Sequence, residues 1–537
     1  MMKRIPSIFN EALAPVTPGP SSSNTAGPMR IASVCRQFFG LPITKASIQM
    51  SDKGSFTFTY FGMRSDLAFV FGLLGHSPAD PGFFDAYDEA KERGVAIEYG
   101  FYEDLPAEPG EYVRLVLENA DTGRKMTFCG ASVGGGGFYL ESADGCPMHT
   151  GGYTHEVLLF TDPAGEVRRH DMVKAILTIA GDPEEIKICE GPDKLLYDVK
   201  LADAPTEEQL DAFKNIEGLR HFGYARPAHT VVTSDSRPPV FETPAELLSW
   251  CEENGKTFAE AAVAYECSIS GWTEQQVISQ AENLWDVILA SEKNGYKEGN
   301  DLRQLLGPKA PQVKAFYESS PQKIASGIVD KAAPMSLSIM EWAGSSGTIV
   351  CIPTGGASGI VPGVIQGLCE DKGLGREDAV KGLLAAGMAG VFMAETDYFG
   401  GWGCQAEIGC GVGMAAAALV SMMGGTPKQC LDAASMGIQS LIGLVCDSVC
   451  GQSQVPCYLR NMTGTATAVT CANAALAGLD ALIPLDEMVT AMMNVGRASR
   501  SIKLNSMGAN GTPTGVRLEA EEQERQQMAV DEKLAKH

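Results

Sequence analysis

The chain has 537 residues, which is too long for one ordinary hydrophobic core and predicts two or three domains. It carries 66 Asp and Glu against 42 Lys and Arg, a formal net charge of -24, which excludes a protein that follows a nucleic-acid backbone with clustered cations. Its 45% hydrophobic and 20% charged residues are typical of a soluble globular protein, not of a disordered or collagen-like one. We therefore expect a small molecule as the partner.

The cellular location is predicted from the N-terminus and the cysteines. The opening MMKRIPSIFNEALAP has no apolar run long enough for a signal peptide, so we predict a cytoplasmic protein. Fifteen cysteines would then meet reducing thiol pools, where metal binding or burial explains them better than disulfides do. Residues 408–427 are uncharged and nearly long enough to span a membrane, but their flanks lack basic and aromatic anchors. We predict a buried helix there and no membrane partner.

The first half of the chain is predicted to mix strands and helices. Alternating or β-branched runs at residues 55–60, 112–117 and 156–160 indicate strands, and residues 83–93 indicate a charged helix. The glycine run 134–137 could form a phosphate-binding loop, but no helix-opening Lys-Ser or Lys-Thr follows it. We predict a plain turn.

The second half is predicted to be helical. A proline-rich boundary at 236–239 precedes a helix start with Thr243 as N-cap and Glu246 at the capping-box position. The helical periodicity covers residues 245–253, 274–293, 379–395, 414–423, 427–444 and 465–479. The last four are rich in Gly and Ala, which suits helices packed closely in a large core. Residues after 517 are predicted to form a charged, solvated helix or tail.

Cysteines, not histidines, carry the candidate chemistry of the helical half. After residue 229 the only histidine is the last residue, which disfavours zinc sites and Ser-His triads there. Cys404, Cys446, Cys450 and Cys457 lie in this half, and thiolates without imidazoles favour an iron–sulfur centre. Their spacing includes no compact C-x-x-C run, so spacing alone leaves buried free cysteines as the alternative.

Several segments together resemble a known family. Four segments resemble the α domain of iron–sulfur-dependent L-serine dehydratases, and their order and separations also agree with that family. They are residues 347–363 (GTIVCIPTGGASGIVPG), 403–409 (GCQAEIG), 444–461 (LVCDSVCGQSQVPCYLRN) and 511–515 (GTPTG). Residues 19–30 (GPSSSNTAGPMR) and the stretch 54–75 resemble, more loosely, the β domain of that family. The resemblance implies an α+β protein: an N-terminal α/β domain followed by a large all-α catalytic domain.

The resemblance also implies a cofactor and its ligands. Three cysteines hold a 4Fe-4S cluster in the family, and they correspond here to Cys404, Cys446 and Cys457. The fourth iron is then open to substrate, where it acts as a Lewis acid on a hydroxyl leaving group; such an iron is oxygen-sensitive, and no pyridoxal phosphate is needed. Cys450 and Cys410 match no ligand position, and we predict that Cys450 is a structural thiol, with a spare ligand as the alternative.

Substrate-binding residues are predicted on two loops and beside the last cysteine. The glycine loop offers backbone N–H groups to an anionic group, or it is a helix-capping turn. Its candidate residues are Thr354, Gly355, Gly356, Ala357, Ser358 and Gly359. Ser21, Ser22 and Ser23 are candidate hydroxyl ligands, or the cap of a following helix. Arg460, next to the candidate Asn461, is predicted either as a carboxylate clamp or as a buried ion-pair partner of Asp447 or Glu407.

The chain departs from the family at two positions of the β domain. Asn24 and Met63 stand where the family carries histidines, and neither side chain accepts a proton as imidazole does. The two residues are therefore candidate substrate contacts in a changed pocket, and the general base is unassigned. Five histidines between 146 and 238 supply candidates, of which we favour His149 and His155.

These observations predict four segments and one activity. The segments are a β-like domain at 1–145, an insert or small α/β module at 146–238, an all-α catalytic domain at 239–517 and a tail at 518–537. The activity is an iron–sulfur lyase that removes water from a small β-hydroxy amino acid, L-serine by default. The alternatives are a desulfidase or dehydratase for another β-substituted amino acid and a non-catalytic amino-acid sensor. We expect a homodimer.

Overall fold

The structure is a computed structural model that describes residues 5–107, 111–234, 236–297, 305–394, 403–445, 447, 449–499 and 509–535. The chain forms two compact units. The first comprises Ser23–Tyr60 and Arg64–Pro238. The second comprises Pro6–Ser22, Phe61–Met63 and the described residues that follow Pro238.

The strands lie mainly in the first unit. In chain order they are β1 (Val16–Pro18), β2 (Lys45–Ser51), β3 (Ala96–Tyr102), β4 (Glu111–Asn119), β5 (Arg124–Gly134), β6 (Gly137–Ala143), β7 (Cys146–Thr150), β8 (His155–Thr161), β9 (Glu185–Glu190), β10 (Leu195–Leu201), β11 (Leu219–Ala225) and β12 (Thr348–Val350). A six-stranded sheet has the order β3-β2-β4-β5-β6-β7, and a four-stranded sheet has the order β11-β8-β10-β9.

Short and medium helices cover these sheets. The helices of the first unit are α1 (Ala26–Phe39), α2 (Phe56–Thr59), α3 (Ser65–Leu73), α4 (Ala86–Glu92), α5 (Glu166–Ala180) and α6 (Glu207–Lys214). The segment β8-α5-β9-β10-α6-β11 has the βαββαβ order of a ferredoxin-like module, and its strand pairs are antiparallel. Ile176 of α5 and Phe213 of α6 pack on one face of this sheet with Val157, Leu159 and Tyr197.

The second unit is built from helices. They are α7 (Pro244–Asn254), α8 (Phe258–Ser270), α9 (Glu274–Gly295), α10 (Ala310–Ser319), α11 (Val329–Gly344), α12 (Ile360–Lys372), α13 (Arg376–Met393), α14 (Cys404–Met422), α15 (Pro427–Gln439), α16 (Leu459–Leu476), α17 (Leu485–Ser499) and α18 (Pro513–Ala535). An α+β protein with a sheet-rich first part and a helical second part is therefore confirmed.

Helix α14 is the centre of the helical unit. It packs against α12, α13, α15 and α16. Its length and hydropathy are sufficient for a membrane span, but 89% of its apolar window is buried inside the protein. Burial of this kind is typical of a core helix, as predicted for residues 408–427. The helix begins at Cys404, ten residues before the predicted start at 414, because its Gly-rich first turns are helical and buried.

Most other sequence-based elements are confirmed. The strands predicted at 112–117 and 156–160 are β4 and β8, and Thr243 with Glu246 forms the expected capping box. The glycine run is a hairpin turn between β5 and β6, with left-handed φ at Gly134, Gly135 and Gly136. Helix α15 ends at Gln439, five residues before the predicted end at 444.

The strand predicted at residues 55–60 is wrong. Residues Phe56–Thr59 form α2 instead. Phe56 and Tyr60 are four residues apart and pack together with ring centroids at 6.3 Å, and Phe56 also meets Phe69 at 5.9 Å. This burial uses the i, i+4 spacing of a helix, which overrides the alternating pattern of Phe and Thr.

The N-terminal segment is part of the helical unit. Strand β1 pairs with β12 through Val16 and Val350 in an antiparallel ladder. The buried Glu266 of α8 accepts hydrogen bonds from Ser7 Oγ at 2.6 Å and from the Ile8 backbone N–H at 2.9 Å. The ladder continues at both ends, where the Gly19 N–H donates to the Gly347 carbonyl at 2.9 Å and the Cys351 N–H donates to the Pro15 carbonyl at 3.0 Å.

Glu266 gives a prediction on stability and pH. Burial raises its pKa to about 7, although the bonds from Ser7 and Ile8 lower it. Because the folded form holds a proton that the unfolded chain releases near pH 4.5, stability should fall as pH rises from 4.5 to 7, by up to about 1.4 kcal/mol per pH unit. Glu266→Gln should flatten this part of the profile. Urea unfolding of both proteins between pH 5 and pH 8 measures the difference, and parallel profiles would contradict it.

Candidate active site

A buried glycine loop connects β12 to α12. Residues Gly355–Ala357 form one tight turn, and Gly356 is the most accessible residue between Thr354 and Gly359. Ser358 Oγ donates to the carbonyls of Thr354 and Gly355, each at 3.1 Å. The Ser358 hydroxyl therefore holds the shape of the loop, and its role toward a substrate stays a prediction.

The serine loop after β1 touches the glycine loop. A Cβ on Gly355 would lie 2.7 Å from the carbonyl oxygen of Pro20 and 3.3 Å from the Ser22 backbone nitrogen, so only glycine fits at this position. Ser22 is buried and Ser21 is partly exposed. The close approach at Gly355 brings these two predicted loops together within the helical unit.

Asn461 fastens the glycine loop to the turn that carries Cys457. Its Oδ1 accepts from the Gly359 backbone N–H at 3.1 Å. Its Nδ2 donates to the Gly356 carbonyl at 2.7 Å and to the Cys457 carbonyl at 2.9 Å. Asn461 is fully buried at the start of α16, so every polar atom of its amide has a backbone partner. It positions the loop and need not contact a substrate itself.

Two of the three predicted ligand cysteines lie within electrostatic reach of Arg460. Cys404 is the first residue of α14, 1% exposed, where the helix N-terminus favours a thiolate. Cys457 is 7% exposed in the turn Gln454–Tyr458. Burial lowers the pKa of Arg460, but the charges of Cys404, Asp447 and Cys457 outweigh it and raise the pKa overall. The guanidinium thus lies within electrostatic reach of both thiols.

The Arg460 guanidinium already binds two other groups of the protein. Its Nη2 pairs with Asp447 Oδ1 at 3.0 Å, and its Nη1 donates to the Val445 carbonyl at 3.0 Å. Of the two predicted roles, the structure shows the ion pair with Asp447. The carboxylate clamp stays a prediction.

The cysteine pair fits the donor chemistry of an iron–sulfur cluster, since both thiols are buried and a cation faces them. Cys446 lies outside the described residues. In the part of the chain that the structure describes, no three Cys, His, Asp or Glu side chains converge as a metal site. Cys404 and Cys457 would hold such a group with a third ligand from elsewhere in the chain.

Cys450 and Cys410 have different surroundings. Burial, followed by Glu519 and Glu522 of α18, raises the pKa of Cys450 to about 11. Cys410 is fully buried within α14, and burial raises its pKa. Both side chains therefore stay neutral thiols at pH 7.

Glu407 is the residue of this site to which the sequence assigned no separate role. It follows Cys404 by three residues on α14, so the two side chains share a helix face. A Cβ on Gly356 would lie 3.3 Å from Glu407 Oε2, so the carboxyl group faces the glycine loop. Burial raises the pKa of Glu407, and Thr354 and Arg460 lower it in part. Its three-residue spacing from Cys404 is the sequence signal that could have identified Glu407 as a site residue.

The remaining candidates lie in other surroundings. Met63 is partly exposed and belongs to the helical unit. Asn24 belongs to the first unit, where its Oδ1 accepts from Ser65 Oγ at 3.1 Å and its Nδ2 donates to Ser23 Oγ at 3.3 Å. Residues 24 and 65 are therefore neighbours, as expected if the two β-domain motifs form one surface.

The candidate bases also belong to the first unit. His155 Nδ1 lies 2.8 Å from the Tyr224 hydroxyl, and the His149 ring stacks on Tyr139 with centroids at 6.1 Å. Burial lowers the pKa of both histidines, and nearby cations, Lys200 at His149 and Arg226 at His155, lower it further. Both imidazoles are therefore neutral at pH 7, the form that accepts a proton.

Comparison with known proteins identifies the family. A model described as serine dehydratase beta chain matches residues 7–94, and one described as serine dehydratase alpha chain matches residues 240–507. The probable L-serine dehydratase alpha chain of Bacillus subtilis (strain 168) is 32% identical over 285 residues, which cover 52% of this chain and 94% of that protein. The chain belongs to the serine dehydratase family.

Full-length relatives show that the β and α parts are fused in one chain. L-serine dehydratase 1 of Escherichia coli (strain K12) is 25% identical over 89% of this chain and 93% of its own length. L-serine dehydratase of Streptomyces coelicolor is 25% identical over 93% of this chain and 96% of its own length. As a member of the serine dehydratase family, the protein is an enzyme of the ammonia-lyase type. The described site residues of the helical unit from Thr354 to Asn461 fall within the alpha-chain match.

Proposed function

We propose that the protein is an iron–sulfur-dependent lyase that removes water from a small β-hydroxy amino acid, with L-serine as the default substrate. Loss of water would leave an enamine that tautomerises to an imine, and a water molecule would then hydrolyse the imine to a 2-oxo acid and ammonia. The single observation that carries the proposal is the arrangement around Asn461, which joins the glycine loop to the Cys457 turn, with Cys404 and Cys457 both within electrostatic reach of Arg460. Printed names of relatives as L-serine dehydratases support the substrate.

The cofactor in this proposal is a 4Fe-4S cluster held by Cys404, Cys446 and Cys457. When bound, it would supply a Lewis-acidic iron for the substrate hydroxyl. The residues of the chain would do the rest: Asn461 holds the loop, Arg460 keeps positive charge beside the thiolates, and the buried loop excludes water. We retain a cytoplasmic homodimer as part of the proposal.

A second candidate is the same chemistry on another β-substituted amino acid. Asn24 and Met63 favour it, because they replace the histidines of the family signature. Removing a general base costs about 10²- to 10⁴-fold in rate, so a merely damaged serine enzyme would turn over serine slowly. A changed pocket would instead turn over a different amino acid well.

Turnover by anaerobically reconstituted protein tests both candidates. We expect 2-oxo acid from at least one member of a panel of L-serine, L-threonine and L-cysteine, and no product from the panel would overturn the proposed function. Slow serine turnover has two explanations, which the double change Asn24→His with Met63→His separates. If the family base is simply missing, the double change should raise serine turnover. If the pocket is specialised, the double change should lower turnover of the preferred substrate. Efficient serine turnover by the unchanged protein would reject our interpretation of these two positions and direct mutagenesis to His149 and His155.

A further inference from the structure

Glu407 combines three features that the proposed chemistry has not yet used. Its carboxyl group faces the accessible point of the glycine loop, since a Cβ on Gly356 would meet Oε2 at 3.3 Å and Oε1 at 3.4 Å. It lies one helical turn from Cys404, on the same helix face. Its third feature is the neighbouring Thr354 hydroxyl, which contacts the carboxyl group. A ligand that enters between the loop and the cysteines would therefore meet this carboxyl group.

The described surroundings of Glu407 do not supply a cation of its own. Arg460 acts on it electrostatically, but Asp447 and the Val445 carbonyl already bind the guanidinium. Within the described ranges, no Lys, Arg or His nitrogen lies within 4.0 Å of the Glu407 carboxyl oxygens. Glu407 is only partly exposed, and a bound cation would offset the cost of removing its carboxylate from part of its water without a paired cation.

The Thr354 hydroxyl is a second polar group beside the Glu407 carboxyl group. Thr354 is 2% exposed, and among the described residues its Oγ1 makes no hydrogen bond of standard geometry. A hydroxyl that donates toward Glu407 still has lone pairs, so this oxygen can accept a hydrogen bond from a ligand. A carboxylate and a hydroxyl that lie side by side both accept hydrogen bonds from an ammonium group.

We propose that Glu407 binds the α-ammonium group of the amino-acid substrate, with Thr354 as a second acceptor. The inference rests on the proposed function, because it assigns one end of that substrate. It also predicts a specificity: the site would bind amino acids more tightly than hydroxy acids of the same size that lack the ammonium group. Glu407 would then be a binding residue and not the base that removes the α-proton.

The test compares Glu407→Gln with the unchanged, anaerobically reconstituted protein. We measure iron content, kcat and KM for the substrate found in the panel, and the inhibition constant of 3-hydroxypropionate, which resembles serine without its amino group. A charge-assisted hydrogen bond corresponds to about a 10- to 100-fold change in affinity. We expect KM to rise by about this factor, with kcat within about threefold, iron unchanged and no weakening of 3-hydroxypropionate binding. Glu407→Asp should recover part of the loss.

The control is Glu377→Gln, which changes an exposed carboxylate on α13 and should leave KM unchanged. A fall in kcat of about 10²-fold or more with KM unchanged would overturn the inference in favour of a general base. Unchanged KM, or loss of iron in Glu407→Gln, would overturn it as well. Calorimetric titration of both proteins with L-serine measures binding without relying on turnover, and it separates the two proposals. The proposed function fails if the panel gives no product. The role of Glu407 is rejected if both proteins have equal affinity for serine, including no binding by either.

Discussion

Changing Cys404 or Cys457 to Ser should reduce the iron and sulfide of the anaerobically reconstituted protein to near zero. Both thiols are buried within electrostatic reach of Arg460. A hydroxyl in either place would leave an iron without its thiolate ligand, near a cation that disfavours further positive charge. The same loss is expected for Cys446→Ser. Iron and sulfide analysis, with the visible absorption of the brown protein, measures the effect, and activity should fall with the iron.

Two cysteines serve as matched controls. Cys450→Ser and Cys410→Ser should keep the iron, because burial holds these side chains as neutral thiols, with Glu519 and Glu522 adding to the effect at Cys450. An unchanged protein that takes up no iron would reject the cofactor. A cluster that survives Cys457→Ser, or one that is lost in Cys450→Ser, would reject the ligand assignment instead.

Asn461→Ala should be the most damaging change outside the cysteines. It removes hydrogen bonds to Gly359, Gly356 and Cys457, and it leaves buried backbone groups without partners. Unsatisfied groups of this kind cost about 1–3 kcal/mol each, so with three partners lost we expect the free energy of unfolding to fall by at least about 3 kcal/mol. A loop displaced by about 1 Å from the cysteine turn should lose about 10²-fold or more in kcat/KM.

Unfolding curves and kinetics of Asn461→Ala measure the two effects separately. Asn473→Ala is the control, because Asn473 is exposed on the same helix and should change neither quantity beyond about 0.5 kcal/mol or twofold. Asn461→Asp keeps the acceptor for the Gly359 N–H but places a buried acceptor oxygen against the Gly356 and Cys457 carbonyls, so it should be at least as damaging as Asn461→Ala. Normal activity of Asn461→Ala would show that the glycine loop keeps its place without this amide.

The sequence alone was sufficient where a local rule determines the structure. The capping box at Thr243 and Glu246, the hairpin turn at the glycine run and the buried apolar helix at 408–427 depend on neighbouring residues only, and the structure confirms them. The strand prediction at residues 55–60 failed because Phe56 packs both on Tyr60, one helical turn away, and on Phe69, thirteen residues away. Long-range packing of this kind leaves no trace in a local pattern.

The candidate site was likewise predicted from the sequence only in part. The sequence motifs identified its cysteines, its glycine loop and the altered Asn24 and Met63, because a family motif specifies residue types and their order along the chain. The motifs do not record which side chains meet. Only the tertiary structure gives Asn461 its three backbone partners, commits Arg460 to Asp447 and turns Glu407 toward Gly356. Each of these contacts joins residues from different turns, loops or helices, and it is the packing of the whole helical unit that brings them within hydrogen-bonding or van der Waals distance.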